Sequence, residues 1–297
     1  MIVSKEHLKK SCEGLEVIPE SWDLSESWDF KNFVEDIILN DILNYSTTKS
    51  TYILKRPRSR QSIDYPITSS LSCSLAHLLS STRLASKYIM RPDLVNSRKY
   101  DIRFYIFVKS LKPLKLSRAE LFTVRSANKP YEEDNVEDFQ THFTTMSDLK
   151  SYENVRGSEP EETYNHHPDC SEFISDFNKM HDVAFEVILE RVENITTELF
   201  NNILKIYPTQ PHPTGIPLHP NSSWSLLEPN QSPAISMYGL DIMLTEDLTP
   251  KILEIQWAPD MDFPGMKREK WVEEVLAWMF LDENMLDERG EEVMVEF

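Results

Sequence analysis

Two carboxylates and one amide near the C-terminus have the spacing with the most chemical content. The stretch Met237-Tyr-Gly-Leu-Asp-Ile-Met-Leu244 is followed by Thr-Glu-Asp-Leu-Thr-Pro250 and then by Lys251-Ile-Leu-Glu-Ile-Gln-Trp257. Apolar residues alternate in both outer segments, which predicts two short strands joined by a polar turn. With the turn centred on Asp247-Leu248, Asp241 and Glu254 fall opposite each other across the antiparallel pair. Cβ atoms in that relation are roughly 5 Å apart, where like charges destabilise a sheet. A cation between the two acids would remove that penalty. Carboxylate oxygens completed by phosphate oxygens describe a site for Mg²⁺ carried by a nucleotide. Gln256, two residues beyond Glu254, points to the same face and offers a third oxygen. The alternative is an exposed hairpin whose acids are simply solvated.

A second group is basic. In Ser97-Arg-Lys-Tyr-Asp-Ile-Arg-Phe-Tyr-Ile-Phe-Val108, Lys99, Asp101 and Arg103 alternate with Tyr100, Ile102 and Phe104. A strand therefore presents the three charges on one face and packs the apolar residues on the other. Arg125 lies in Leu121-Phe-Thr-Val-Arg125-Ser-Ala-Asn-Lys-Pro-Tyr131, Lys55 closes the strand-like Tyr52-Ile-Leu-Lys55, and Lys87 lies in Ser86-Lys-Tyr-Ile89. Residues 55–118 hold fourteen Lys/Arg against three Asp/Glu in a chain of net charge −18. A basic segment inside an acidic chain suits a polyanionic ligand. An exposed basic face without a ligand has the same composition.

The elements that must position these residues are legible from periodicity. Helical spacing predicts a helix over Asp29–Asn44 with Phe30, Phe33, Val34, Ile37, Ile38 and Ile42, and another over Ser69–Ser81 with Leu71, Leu75, Leu78 and Leu79. The clearest helix spans 182–206, with Ile188, Val192, Ile195, Leu199 and Ile203 on one stripe, and a shorter amphipathic one surrounds Trp271, Val275 and Met279. Residues 207–233 contain seven prolines and read as a long irregular loop. The acidic tail 286–297 is expected to be mobile.

At 297 residues and 40% hydrophobic content, the chain is long and apolar enough to bury a core. The net charge argues against non-specific nucleic-acid binding as the main role, and no specific nucleic-acid partner is expected. Cys12, Cys73 and Cys170 are widely separated, as for free thiols, and His166-His167 with Cys170 lack a fourth ligand for zinc. No apolar run reaches the roughly 18 residues of a membrane span. A monomer in the cytoplasm or nucleus is expected.

Taken together, these motifs resemble the tubulin–tyrosine ligase family. The resemblance implies an α+β, ATP-grasp-like fold of two mixed or antiparallel sheets with flanking helices, nucleotide held between them. Residues 51–285 would form this domain, 1–50 being a remnant of the region before it in an N-terminally truncated chain. By position in the family's motifs, Asp241, Glu254 and Gln256 bind Mg²⁺, with Gln256 standing where the family has Asn. Lys55, Lys87, Lys99 and Asp241 bind ATP. Lys99, Arg103 and Arg125 handle phosphate and the acceptor substrates, with Asp101 orienting Arg103; Arg103, Arg125 and Glu254 are the catalytic candidates. His142 and Thr144 match the family's site region loosely. The implied chemistry is ATP-dependent ligation: a protein carboxylate takes the γ-phosphoryl group, and an amine displaces phosphate from the acyl-phosphate. The acceptor would be a tubulin tail or another protein.

One departure has a chemical cost. The family's glycine-containing phosphate loop is replaced by Arg58-Ser-Arg60-Gln-Ser-Ile63, with no glycine between Gly14 and Gly157. A loop with side chains cannot approach phosphate as closely, although Arg58 and Arg60 supply charge. A divergent branch of the family shares this loss. Three readings follow: an active ligase, a pseudoenzyme that binds tubulin, histone or another protein, and a structural domain whose charged strands face water.

Overall fold

The computed structural model describes residues 5–43, 50–56, 65–78, 84–111, 113–144, 170–206, 236–257, 259, 275 and 294–297. The strongest apolar alternation becomes the longest strand. β6 (Arg98–Leu111) forms a hairpin with β7 (Leu114–Ser126), and β8 (Ser236–Leu244) lies on the other side of β6 and pairs onward with β9 (Pro250–Trp257). The short β5 (Leu94–Val95) folds back onto the start of β6 through Asn96 and Ser97, both at positive φ. A second sheet, β1 (Ser21–Asp23), β4 (Leu84–Lys87), β2 (Tyr52–Lys55) and β3 (Ile67–Thr68) in spatial order, covers one end of the first. All described pairings are antiparallel, giving the expected α+β class with two sheets.

The main core lies on one face of the large sheet. Tyr100, Ile102, Phe104 and Ile106 of β6 join Leu240 and Ile242 of β8 in the main core, roofed by α5 (Cys170–Met180) and α6 (Phe185–Ile206). The stripe expected on α6 is buried at Ile188, Val192, Leu199 and Ile203, and Phe185 and Phe200 extend it. α1 (Lys5–Ser11) docks on the same core through Leu8, and Asn202 of α6 donates to the Ser11 carbonyl at its end. The small sheet packs Trp22, Tyr52, Leu54 and Ala85 against Phe33 and Ile37 of α2 (Ser27–Leu43). α3 (Leu71–Leu78) and α4 (Phe139–His142) complete the described helices. No helix among the described residues is long and apolar enough to cross a membrane.

The hairpin of β8 and β9 differs from its sequence expectation in an instructive way. Asp241 does pair with Glu254, but Ile242 pairs with Ile252, so Leu253 is an extra residue, a β-bulge. The turn is one residue tighter than expected, spanning Thr245–Thr249 with Leu248 at φ 61°, and the bulge restores the pairing. It also changes parity. Ile252 and Ile255 both enter the core, three residues apart, while Glu254 stays on the opposite face.

The end of the chain corrects another expectation. Met294–Glu296 is not a mobile tail but an edge strand, β10, paired with Ser117–Ala119 of β7. Met294 is fully buried beside Tyr105, Phe107, Ala119 and Leu121. The loop 207–233, Arg58, Arg60, His166-His167 and the expected helix 269–281 apart from Val275 lie outside the described residues. Met294→Ala is expected to cost about 2–5 kcal/mol, the usual range for a buried methionine. Urea unfolding followed by tryptophan fluorescence measures it, and an unchanged midpoint would show that β10 contributes no packing.

Candidate functional site

The face of the large sheet turned away from α5 and α6 carries the charge. Register places Thr123, Arg103, Asp241 and Glu254 in one row across β7, β6, β8 and β9, with Arg125 and Asp101 in the next. Arg103 forks onto Asp241, Nε to Oδ1 at 2.7 Å and Nη2 to Oδ2 at 2.9 Å. Arg125 reaches the same Oδ2 at 2.9 Å and holds Asp101 through Nε at 2.6 Å. The second oxygen of Asp101 accepts from Thr144. All four charged residues are buried. Gly239, next in line on β8, leaves the space for this arrangement: a Cβ there would lie 2.7 Å from Pro259 Cβ and 3.6 Å from Arg103 Cδ.

These pairs explain how Asp241 tolerates Glu254 across the strand. The cation that neutralises it is a pair of guanidiniums. They also reassign a partner: Asp101 orients Arg125, and Asp241 orients Arg103, where the sequence suggested Asp101 for Arg103. Burial alone would raise Asp241, but Arg125 and the hydrogen bonds from Arg103 outweigh it and hold its carboxyl below the ordinary value. Burial dominates at Asp101 and raises it despite Arg125.

Beside this quartet a cleft opens between the small sheet, α1 and β9, lined by Lys5, Lys55, Leu84, Ser86, Ile252 and Leu253 among others. Lys55 ends β2 on the cleft face, paired with Leu84. Burial and the charge of Lys5, opposed by Glu254, lower Lys55 to about 8. Lys99, at the start of β6, is lowered to about 7 by burial, with Asp101 opposing and Lys55 adding to the shift. Lys5 donates to Tyr65 Oη at 2.7 Å and lies 3.8 Å from Glu254 Oε1. Burial works against its charge, but Glu254 and Tyr65 leave its pKa raised. Lys5, Lys55, Lys99, Glu254 and the quartet therefore occupy one electrostatic neighbourhood.

Lys87 is not brought there. It shares its sheet face with Tyr52, against α2, where its Nζ meets Glu20 at 2.7 Å and Asp36 at 3.8 Å. Nor is the basic stretch 55–118 a bare cationic surface. Arg118 binds Glu193, Arg91 binds Glu246, and Lys109 approaches Glu296. Two contributors escaped the sequence reading. Lys5 sits in a seven-residue helix with no diagnostic spacing, and Tyr88 follows a matched lysine but has no pattern of its own. His142, a loose match, is buried beside Tyr88 Oη with Nδ1 at 2.9 Å.

No three His, Cys, Asp or Glu side chains converge as a metal cage among the described residues. Mg²⁺ delivered with phosphates needs only one or two protein carboxylates. Glu254 suits that need, since it is 34% exposed and has a single ion pair, the long one to Lys5, among the described residues. Gln256 pairs with Gly239 on the same face of β9. The two oxygens of Asp241 already accept three N–H bonds, so a resident metal does not fit there, whereas Glu254 and Gln256 fit one that arrives with a nucleotide.

Asp241→Asn leaves two buried guanidiniums with one carboxylate, and an expected loss of about 3–5 kcal/mol of stability at neutral pH. The depressed pKa of Asp241 fixes the sign: its contribution is present above the ordinary carboxylate value of 3.8 and is lost as pH falls through its lower folded value. The gap between wild type and mutant should therefore close only in strong acid, as followed by denaturant midpoints against pH. A gap independent of pH down to acid unfolding would exclude the ionic origin.

Comparison with known proteins identifies the family. A model of the tubulin-tyrosine ligase family matches residues 27–291. The mouse and human proteins named tubulin–tyrosine ligase-like protein 12 are each 26% identical over 253 residues, covering 78% of this chain and 34% of theirs. Mouse tubulin monoglutamylase TTLL4 is 22% identical over 227 residues, covering 73% of this chain and 17% of its own. The chain thus spans about a third or less of the length of these relatives. The ligase-like protein 12 group is the divergent branch that this sequence resembles. The extent of the family match, on top of the two-sheet fold, places this chain in the tubulin-tyrosine ligase family.

Proposed function

We propose that the cleft binds a Mg²⁺–nucleoside triphosphate and that the chain is an ATP-dependent ligase, joining an amino acid to a protein tail such as that of tubulin. The observation that carries this reading is the chain of neighbouring lysines, Lys5 beside Lys55 and Lys55 beside Lys99, with the part-exposed carboxylate of Glu254 next to Lys5 and Lys55. Lysines whose charge burial disfavours, as at Lys55 and Lys99, are an expense a fold keeps when a polyanion relieves it. The names of relatives, tubulin monoglutamylase and probable tubulin polyglutamylase, support tubulin as the acceptor class.

Lys55 and Lys99 take phosphate oxygens, and Lys5 moves from Glu254 to the same anion. Glu254 and Gln256 turn their oxygens to the metal that the nucleotide carries. When bound, the nucleotide supplies the phosphoryl group that activates the acceptor carboxylate. Arg103 and Arg125 are pre-aimed by Asp241 and Asp101, so little side-chain ordering remains at the moment of charge development. Among the described residues the Nη1 group of each arginine makes no hydrogen bond and is the donor left for a substrate oxyanion.

A second reading, a pseudoenzyme binding tubulin, histone or another protein, draws on a specific observation as well. Asp241 is clamped by two arginines, which leaves one carboxylate and a longer amide to meet the metal. ATP affinity measured with Mg²⁺ and with chelator separates the two. Under the ligase reading, chelation weakens binding about tenfold, one metal–carboxylate contact's worth of roughly 1.4 kcal/mol, and Glu254→Gln binds equally in both conditions. Metal-independent binding by the wild type, with no incorporation of labelled amino acid into tubulin-tail peptides, would leave only the pseudoenzyme.

A further inference from the structure

Tyr88 joins the two sheets at the cleft. Its backbone N–H donates to Thr51 at the start of the small sheet, at 2.8 Å, while its side chain crosses to the large one. There the phenol oxygen accepts from Lys99 Nζ at 2.5 Å, and that nitrogen lies 4.1 Å from the ring centroid. On its far side the phenol meets His142 Nδ1 at 2.9 Å. The imidazole is 2% exposed and packed between the rings of Tyr88 and Tyr131, at centroid distances of 5.7 and 5.2 Å.

We propose that Tyr88 and His142 are positioning residues for Lys99: the phenol accepts one N–H of the lysine and keeps it, so that another N–H of the ammonium is aimed at a phosphate oxygen when the anion enters the cleft. This rests on the reading of the cleft as a triphosphate site. No bond is made or broken beyond one proton, taken from solvent by the amine fraction of Lys99 as it becomes ammonium against phosphate.

The direction of the chain follows from the groups around it. Burial, together with the charge of Lys99, lowers His142 to about 4, so the imidazole is neutral and accepts. Burial and Tyr131 raise Tyr88 well above its ordinary value, so the phenol keeps its proton, with Nδ1 at 2.9 Å and the carbonyl oxygen of His142 at 3.4 Å as its acceptors. Its lone pairs then face Lys99. The lysine is also faced by Asp101 from its own strand, by Arg125 of β7, which holds Asp101, and by Lys55 of β2. Asp101 is already saturated by Arg125 and Thr144, and Tyr88 gives Lys99 its one hydrogen bond among the described residues. Without that acceptor the ammonium would face Lys55 with less support.

The sign of the pH effect discriminates this role from a packing role. Removing the phenol oxygen destabilises ammonium, so the titration of Lys99 moves down from about 7. Less of it is then charged above neutrality, and little changes in mild acid, where it is charged anyway. The experiment uses the full chain as wild type, Tyr88→Phe and His142→Gln, with ¹³Cε-labelled lysine and the Lys99 signal assigned through Lys99→Arg. Its readouts are the Lys99 titration without ligand and the affinity for ATP in chelator at about pH 6 and about pH 8. Tyr88→Phe should lower the Lys99 midpoint and weaken ATP about three- to tenfold at the higher pH, the range of one lost hydrogen bond, with a smaller loss at the lower. His142→Gln should shift both in the same direction by less.

An unmoved Lys99 midpoint in both variants overturns the proposal, as does an equal loss of affinity at both pH values. If wild type does not bind ATP, the triphosphate reading fails by itself. The ligand-free titration still decides whether Tyr88 and His142 govern Lys99.

Discussion

Four buried charges, Asp101, Arg103, Arg125 and Asp241, lock the three central strands to one another. Each arginine bonds an acid on a neighbouring strand, so β7, β6 and β8 cannot slip without breaking two or more charge-assisted bonds. The set balances to zero, and that is the condition for burying it. One missing member would strand a charge in a medium where desolvation costs several kcal/mol. A one-residue slip would also exchange the faces of every strand involved and turn Ile102, Phe104 and Ile242 out of the core. Ionic pairing and apolar packing therefore specify the same register from opposite sides of the sheet.

The cleft beside this neutral block is deliberately unbalanced. Lys5 meets Glu254, Tyr65 and Glu6, while burial dominates at Lys55 and Lys99, which have Glu254 and the already engaged Asp101 for opposing charge. The local field there is positive, although the whole chain is strongly acidic, and the small sheet and α1 keep water from screening it fully. A rigid neutral platform next to an under-compensated cationic wall is a sound design for anion chemistry. The platform fixes where guanidiniums point, and the wall supplies attraction.

How much of this was legible in the sequence depended on range. Period-two alternation located β6 and its apolar face, and the α6 stripe was equally plain, because both patterns are local and long. Asp241, Glu254, Lys55, Lys99, Arg103 and Arg125 were found together through joint motif resemblance, and they do share one region. Their pairing was not legible. Alternation shows that Asp101 and Arg103 face the same way, but the register shifts between β6 and β7 decide which arginine each acid meets. The place of Lys87 against α2 was not legible, because a strand's sequence does not say which of its faces borders a cleft. Lys5 could not be found from spacing at all; its location follows from where α1 docks, through Leu8 in the core and Asn202 on the Ser11 carbonyl. The tail read as acidic and mobile because three short strand residues lack a periodic signal, although buried Met294 anchors them.

The extra residue at Leu253 separates two jobs that a plain hairpin would fuse. In an unbroken ladder, lengthening or tightening the Thr245–Thr249 turn by one residue would slide the acid of β9 to the wrong side of the sheet. Here the change of side occurs five residues before the chain reaches Ala258, inside the ladder, with Ile252 and Ile255 pinned in the core on either side of it. The turn and the carboxylate are thus held by different means: Leu248 in the core and Arg191 on its carbonyl fix the loop, while the bulge fixes the side of the sheet on which Glu254 stands.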